Sequence, residues 1–218
     1  MLISCGEAHL ILVMNMEIDL RKTKTICISM KRSIGRREGI TRLLDGLGYE
    51  HWSFFDGVEA QDPVEGCALS HIGVLDSHDF SEPLLVLEDD VQTTSTYTDI
   101  VVCPTNTDAL YLGYSWWAWD KERAKQSNIP APTSIEKMGD LYKISKMTSA
   151  HAVLYVSKEY GIAARDSMKA YLEYPFGNKH CDVALAMLQD KYNVFATPKH
   201  YFFQVCERNT FWTNKSIA

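Results

Sequence analysis

Residues 84–87, Leu-Leu-Val-Leu, are apolar without alternation, and the three residues that follow, Glu88, Asp89 and Asp90, are all carboxylates. An apolar run lacking a period of two is what a strand needs when both faces of its sheet are covered, so this segment predicts a buried strand flanked by helices. The acidic triplet then falls at that strand's carboxyl end. Three anions so close together repel one another and lose hydration where they are partly buried. A positive group is expected beside them.

The order of elements around this run extends the prediction. Residues 24–30 (KTICISM) read as a strand with β-branched content. Ser33 is a candidate cap for a helix in which Ile40, Leu43, Leu44 and Leu47 keep helical spacing, with Gly48 at its stop. Residues 51–55 (HWSFF) form a second strand, ended by the turn pair Asp56-Gly57, and Pro63 opens a second helix. Strand, helix, strand, helix, strand predicts a parallel sheet with right-handed crossovers. Further on, residues 109–114, 141–145 and 150–157 read as strands, and 157–172 and 178–192 as helices, while 194–204 return as strand or loop. Residues 114–132 form an aromatic, then charged, then proline-bearing excursion. No repeat or linker divides the chain, so residues 1–218 are expected to form one α/β domain, with 1–22 a candidate peripheral N-terminal extension.

A formal net charge of -6 and the lack of a Lys/Arg cluster argue against nucleic acid as a partner. Six scattered cysteines without a CxxC pair fit free thiols in a reducing, cytoplasmic compartment better than a disulfide framework; peripheral association with a membrane is the alternative placement. No stretch approaches the roughly 20 apolar residues of a transmembrane segment. Residues 8–16 (AHLILVMNM) are too short for a span and lack the basic flank and cleavage site of a signal peptide.

In open α/β sheets ligands bind beyond the carboxyl ends of the strands, which is where the triplet lies. Carboxylate oxygens suit hard cations such as Mg²⁺ or Mn²⁺, held by one or two side chains with substrate phosphates completing the shell. The bland alternative is a solvated strand end.

The wider stretch GCALSHIGVLDSHDFSEPLLVLEDDV, residues 66–91, resembles the signature of glycosyltransferase family 25, the lipopolysaccharide-type and collagen-type galactosyltransferases. In that family a Gly-Cys-x-x-Ser-His helix precedes an apolar strand ending in Glu-Asp-Asp. Residues 28–38 (ISMKRSIGRRE), 54–60 (FFDGVEA), 149–166 (SAHAVLYVSKEYGIAARD) and 181–185 (CDVAL) resemble further family segments in the same order, so the resemblance runs from about 24 to 204. An ISMKRS loop stands where the family more commonly carries Asn-Leu-Asp/Glu-Arg.

The resemblance implies a GT-A-like (Rossmann-like), mostly parallel sheet with helices on both faces. It also implies a UDP-sugar donor, a glycan or glycoprotein acceptor, and Mn²⁺ or Mg²⁺ held by a DXD-like motif. UDP-galactose or UDP-glucose and inversion of configuration follow from the same resemblance. Because side chains alternate along an extended strand, Glu88 and Asp90 should share a face, with Asp89 turned away. Asp90 is the expected direct metal ligand, with Glu88 a second candidate; one of Glu88 and Asp89 would meet the ribose or a metal-bound water. Arg32 is the preferred contact for the donor phosphates, ahead of Arg36 and Arg37, because a guanidinium fork matches phosphate oxygens. Ser70 and His71 are expected near the donor, the alternative for His71 being a packed core histidine.

Asp182 lies where the family carries an acidic residue that addresses the acceptor or acts as general base, the alternative being a first-turn acid that complements its helix. His180, His151 and His200 are lesser candidates, the last as an extra metal ligand. The stretch YSWWAW, 114–119, offers an acceptor platform or half-buried core. Two other functions compete. A haloacid-dehalogenase-like phosphohydrolase also places acids after a buried strand, but it needs a nucleophilic Asp there and a second Asp two residues on. Here Glu88 holds the first position, and Val91 stands two residues after Asp89. A non-catalytic sugar-binding module of the same fold is the other.

Overall fold

The computed structural model describes residues 14–114, 134–174 and 179–205. The apolar runs become strands at the heart of the sheet: β2 (Lys24–Ser29), β3 (Trp52–Asp56) and β4 (Leu84–Glu88), with Leu84 to Leu87 all buried. Helix α1 (Ile34–Leu47) ends at Gly48, whose φ of 77° is the left-handed conformation that glycine adopts without steric penalty. Ser33 stands at the N-cap of α1, yet its side chain makes no capping bond. Helix α2 (Pro63–Asp76) is capped by Asp62, which accepts from the Val64 amide at 2.9 Å, with proline in the first turn.

The first half matches the predicted alternation. β2 pairs in parallel with both β3 and β4, and α1 and α2 are the crossovers. The second half adds β7 (Ala109–Gly113), β8 (Ser134–Met138), β9 (Leu141–Ser145), β10 (Ala152–Tyr155) and β11 (Val194–Ala196). The eight strands run in the order β3-β2-β4-β10-β7-β11-β9-β8. Here the expectation of a mostly parallel sheet needs correcting to a mixed one. β10 runs against both β4 and β7, and β9 against both β11 and β8, so four pairings are antiparallel against three parallel. Parallel neighbours depend on long crossovers, usually helical, and no helix joins β8 to β9 or β9 to β10.

Alternate residues of β4 face opposite layers. Leu84 and Val86 pack with Ile72, Leu75, Tyr160 and Leu185 from α2, α3 (Lys158–Glu173) and α4 (Cys181–Ala186). Leu85 and Leu87 pack with Ile40 and Leu44 of α1 and with a two-stranded sheet of β1 (Asn15–Asp19) and β6 (Ile100–Pro104). Helices therefore cover both faces. Ile18 and Leu20 are buried there, so the segment from residue 15 onward is tied into the core. A second small sheet, β5 (Val91–Thr93) with β12 (Phe202–Gln204), folds the end of the described chain back beside the acidic triplet. Among the described residues no helix is long and apolar enough to cross a membrane.

Candidate functional site

β4 ends at Glu88, and Asp89 and Asp90 form the turn into β5. Arg36 of α1 donates to Asp89 Oδ1 at 2.9 Å and lies 3.9 Å from Asp90 Oδ2. His71 of α2 is the second cationic partner, its Nε2 3.2 Å from Glu88 Oε1. Gln204 Nε2 donates to Glu88 Oε2 at 2.9 Å and to Asp90 Oδ1 at 3.4 Å, whereas Asp89 Oδ2 accepts from the Ser29 hydroxyl at 2.7 Å. Glu88 and Asp90 thus share a side and Asp89 faces away from it, as a period of two dictates.

The three carboxylates are not equally compensated. Burial opposes charge on Glu88, but His71, together with His151 and Gln204, outweighs it and holds the carboxyl below its usual range. Among the described residues the Asp90 side chain has only long contacts; burial and the neighbouring Glu88 push its pKa up to about 6.

Two cavities meet at Glu88. The first, of about 350 Å³, opens between the carboxyl ends of β2 and β4 and the β3–α2 loop, and Arg32, Arg36, Ser70 and the whole triplet border it. Its shape depends on α2. A Cβ on Gly66 would stand 2.7 Å from the Val58 carbonyl oxygen, so only glycine lets the loop cross the helix this closely. Ser70 fastens the crossing, accepting from the Val58 amide at 2.8 Å and donating to the Gly66 carbonyl at 2.7 Å. Both of its bonds are with backbone. Arg32 is exposed at the rim and pairs with Glu59. Arg37 pairs with Asp56 at 2.6 Å and holds the Ser29 carbonyl. Of the three arginines, Arg36 is the one that reaches the carboxylates, although the sequence favoured Arg32.

The second cavity, of about 290 Å³, is bordered by Glu88, Cys67, His151, His180, Asp182 and Gln204, among others. Asp182 is the second residue of α4 and is half-buried; burial, reinforced by Glu88 and offset by His180, raises its carboxyl above the usual range. His151 is buried, and that burial lowers its pKa to about 4. Its Nδ1 lies 2.9 Å from the Ser149 hydroxyl. His200 packs against Tyr114 at a ring separation of 4.0 Å and accepts the Tyr114 amide at Nδ1, committed to the core rather than to the triplet. Tyr114 itself is buried; residues 115–119 of the aromatic stretch lie outside the described residues.

Between the cavities stand Cys67 and His71, one helical turn apart on α2, and Cys181 at the start of α4. The two sulfurs are 3.9 Å apart. The hydrogen bond from Cys181 keeps the Cys67 thiol low, and the same bond pushes Cys181 up. Burial pulls His71 down, but the Cys67 sulfur and the Glu88 carboxylate more than reverse this and carry it to about 10. Sequence inspection singled out neither Cys181 nor Gln204. Gln204 comes from 116 positions downstream of Glu88, a proximity that no local spacing encodes.

No protein-family model matches this chain, and no curated protein matches it in sequence. Among solved structures it is similar to the nucleoside-diphosphate-sugar pyrophosphorylase from Vibrio cholerae RC9, at 12% identity and a TM-score of 0.44, over 82% of this chain and 73% of that one. It is also similar to A197 from STIV, at 11% identity and a TM-score of 0.41, over 90% of each chain. Likeness at this level assigns neither family nor activity.

Proposed function

We propose that the chain is a metal-dependent glycosyltransferase that moves a hexose from a UDP-sugar to a hydroxyl of a glycan or protein acceptor, in line with its sequence resemblance to glycosyltransferase family 25. In this reading the mixed sheet is GT-A-like: β2, β3, β4, β7, β11 and β8 run one way and only β9 and β10 the other. The observation that carries the proposal is the junction at Glu88, where a cleft rimmed by arginines meets a second cavity that is bordered by a further carboxylate, Asp182.

The residues present fit a hard divalent cation at Asp90. That carboxylate is half-buried among like charges, and among the described residues no cation approaches it closer than 3.9 Å. Glu88 fits less well as a direct ligand, because His71 and Gln204 already engage its two oxygens. Asp90 is therefore the ligand, with Glu88 and Asp89 reached through water or ribose. A bound Mn²⁺ or Mg²⁺ supplies Lewis-acid neutralisation of the leaving diphosphate. Arg36, which stands beside Asp89 and Asp90, would address the donor phosphates. Asp182 takes the acceptor's hydroxyl proton while the acceptor oxygen forms the new glycosidic bond. The bond from the anomeric carbon to UDP breaks, and its electron pair leaves on the diphosphate. The carboxylate suits that task because a sugar or protein hydroxyl is a poor nucleophile at neutral pH.

Calorimetric titration with UDP, with and without Mn²⁺, tests the proposal. Metal-dependent binding is the expected result. No UDP binding under either condition overturns it, and release of phosphate from phosphomonoesters would favour the phosphohydrolase instead.

A further inference from the structure

The contact between Cys67, His71 and Cys181 is not used in the transfer reaction proposed above. One potential ligand atom from each lies within 4.8 Å of the other two. The ligands come from two elements: Cys67 and His71 share a face of α2, and Cys181 opens α4 from 114 positions away. Three features separate this cluster from ordinary buried thiols.

The first is the sulfur spacing. Two thiolates that share a tetrahedral Zn²⁺ at about 2.3 Å each stand roughly 3.8 Å apart. The observed Sγ···Sγ distance is 3.9 Å, and a disulfide needs about 2.0 Å. The second is the state of His71, which is 1% exposed. Its Nε2 meets Glu88 Oε1 at 3.2 Å, while Nδ1 is sealed from solvent with no hydrogen-bond partner among the described residues. A histidine that gives one ring N–H to a carboxylate and keeps the other nitrogen for a metal is the common second-shell pattern of zinc sites. The third is access. Cys67 is exposed, and both cysteines border the 290 Å³ cavity, so an ion held here has an entry path.

We infer that Cys67, His71 and Cys181 form a binding site for a soft divalent metal, Zn²⁺, with Glu88 orienting the imidazole and the fourth position open to the cavity. Thiolates select zinc over the hard ions suited to Asp90, so the two sites differ in kind. An ion here ties α2 to α4 and fixes the start of the helix that carries Asp182. The inference stands whether or not the protein transfers sugars.

The test uses the full chain, purified without a metal-affinity tag and kept reduced. Elemental analysis is expected to find one zinc per chain, released by a chromogenic chelator only on denaturation or thiol modification. Co²⁺ added to metal-stripped protein should give thiolate-to-cobalt charge-transfer absorption and the visible bands of a tetrahedral ion. Cys181→Ser and Cys67→Ser should each lose that absorption and the zinc, whereas Asp90→Asn should keep both. If the cysteine variants fail to fold, the wild-type stoichiometry and cobalt spectrum still decide. Wild-type protein that takes up no zinc overturns the inference. So does zinc that persists in Cys181→Ser but leaves in Asp90→Asn, and so does a Cys67–Cys181 disulfide in protein isolated under reducing conditions.

Discussion

Gln204 donates to Glu88 across 2.9 Å, linking the last described strand to the end of β4. The same amide reaches Asp90 at 3.4 Å, so one neutral side chain serves two anions. A hydrogen bond to a charged group contributes about 1.5–3 kcal/mol, the lower end applying where water has partial access. Gln204→Leu is therefore expected to lower the urea midpoint by an amount equivalent to about 1.5 kcal/mol with an unchanged m value. A midpoint equal to that of the wild type would mean that water replaces the amide at no cost.

Asp90→Asn removes a charge at nearly constant shape. Because burial and Glu88 already disfavour that charge, the variant should melt no lower than the wild type. Mn²⁺-dependent UDP affinity should disappear, as read by calorimetry. Unchanged affinity would sink the metal assignment at this residue.

Two glycines make a matched pair for the packing of the second half. A Cβ on Gly113 would stand 2.4 Å from His151 Nε2 and 2.8 Å from the Phe202 carbonyl oxygen, and the latter, being backbone, cannot easily move. Gly113→Ala should cost about 1–3 kcal/mol and disturb the cavity wall that His151 forms. Gly46, on α1, has nothing but its chain neighbours and its own helix backbone within 4 Å of its would-be Cβ. Gly46→Ala should stabilise by about 0.5–1 kcal/mol, because alanine loses less backbone entropy in a helix. Thermal melts of both variants give the two signs.

The first half of the fold was legible because its information is local. The unalternating run at 84–87, Gly48 at the end of α1 and Pro63 at the start of α2 each dictate their own element. The direction of β10 was not legible, because it is set by pairing with β4 and β7, and neither neighbour is fixed by a helical crossover into it. β1 and β6 escaped notice for the same reason: each finds its apolar partner about 85 positions away, with Ile18 opposite Val101. In the site, the triplet and the expectation of a positive neighbour were legible from charge alone. Which arginine supplies that charge was not, since Arg32 and Arg36 lie on different sides of the start of α1, and only the three-dimensional turn aims Arg36 at Asp89.

Alkaline stability should report the Tyr49–Tyr97 contact. The Tyr97 hydroxyl donates to that of Tyr49 at 3.3 Å, and burial raises Tyr97 to about 12 and Tyr49 further. Tyrosines in the unfolded chain ionise near about 10. Above that pH the folded state therefore holds more protons than the unfolded one, so stability is intact below about pH 10 and falls as pH rises towards 12. Urea midpoints measured at about pH 9 and about pH 11 should show a smaller drop in Tyr49→Phe than in the wild type. Equal drops would show that other groups govern alkaline unfolding.

Asp182→Asn separates three roles for the same carboxylate. On the proposed reading, donor affinity would rest on phosphate, metal and uracil contacts and would need no group in the second cavity, so UDP binding with Mn²⁺ should be retained. If Asp182 is the base, transfer should fall by roughly the 10²–10⁴ that a positioned proton acceptor contributes, with the acceptor KM little changed. A higher acceptor KM at undiminished turnover would make it a hydrogen-bonding clamp. A lower melting temperature would mean that the carboxylate serves the first turn of α4, where the Val183 amide favours its charge. The structure argues against that third outcome. α4 spans only six residues, Cys181 to Ala186, and burial beside Glu88 opposes charge on Asp182 more strongly than the amide supports it. A residue held charged against its surroundings gains stability when neutralised, so a rate deficit with an equal or higher melting temperature is the expected pair of results.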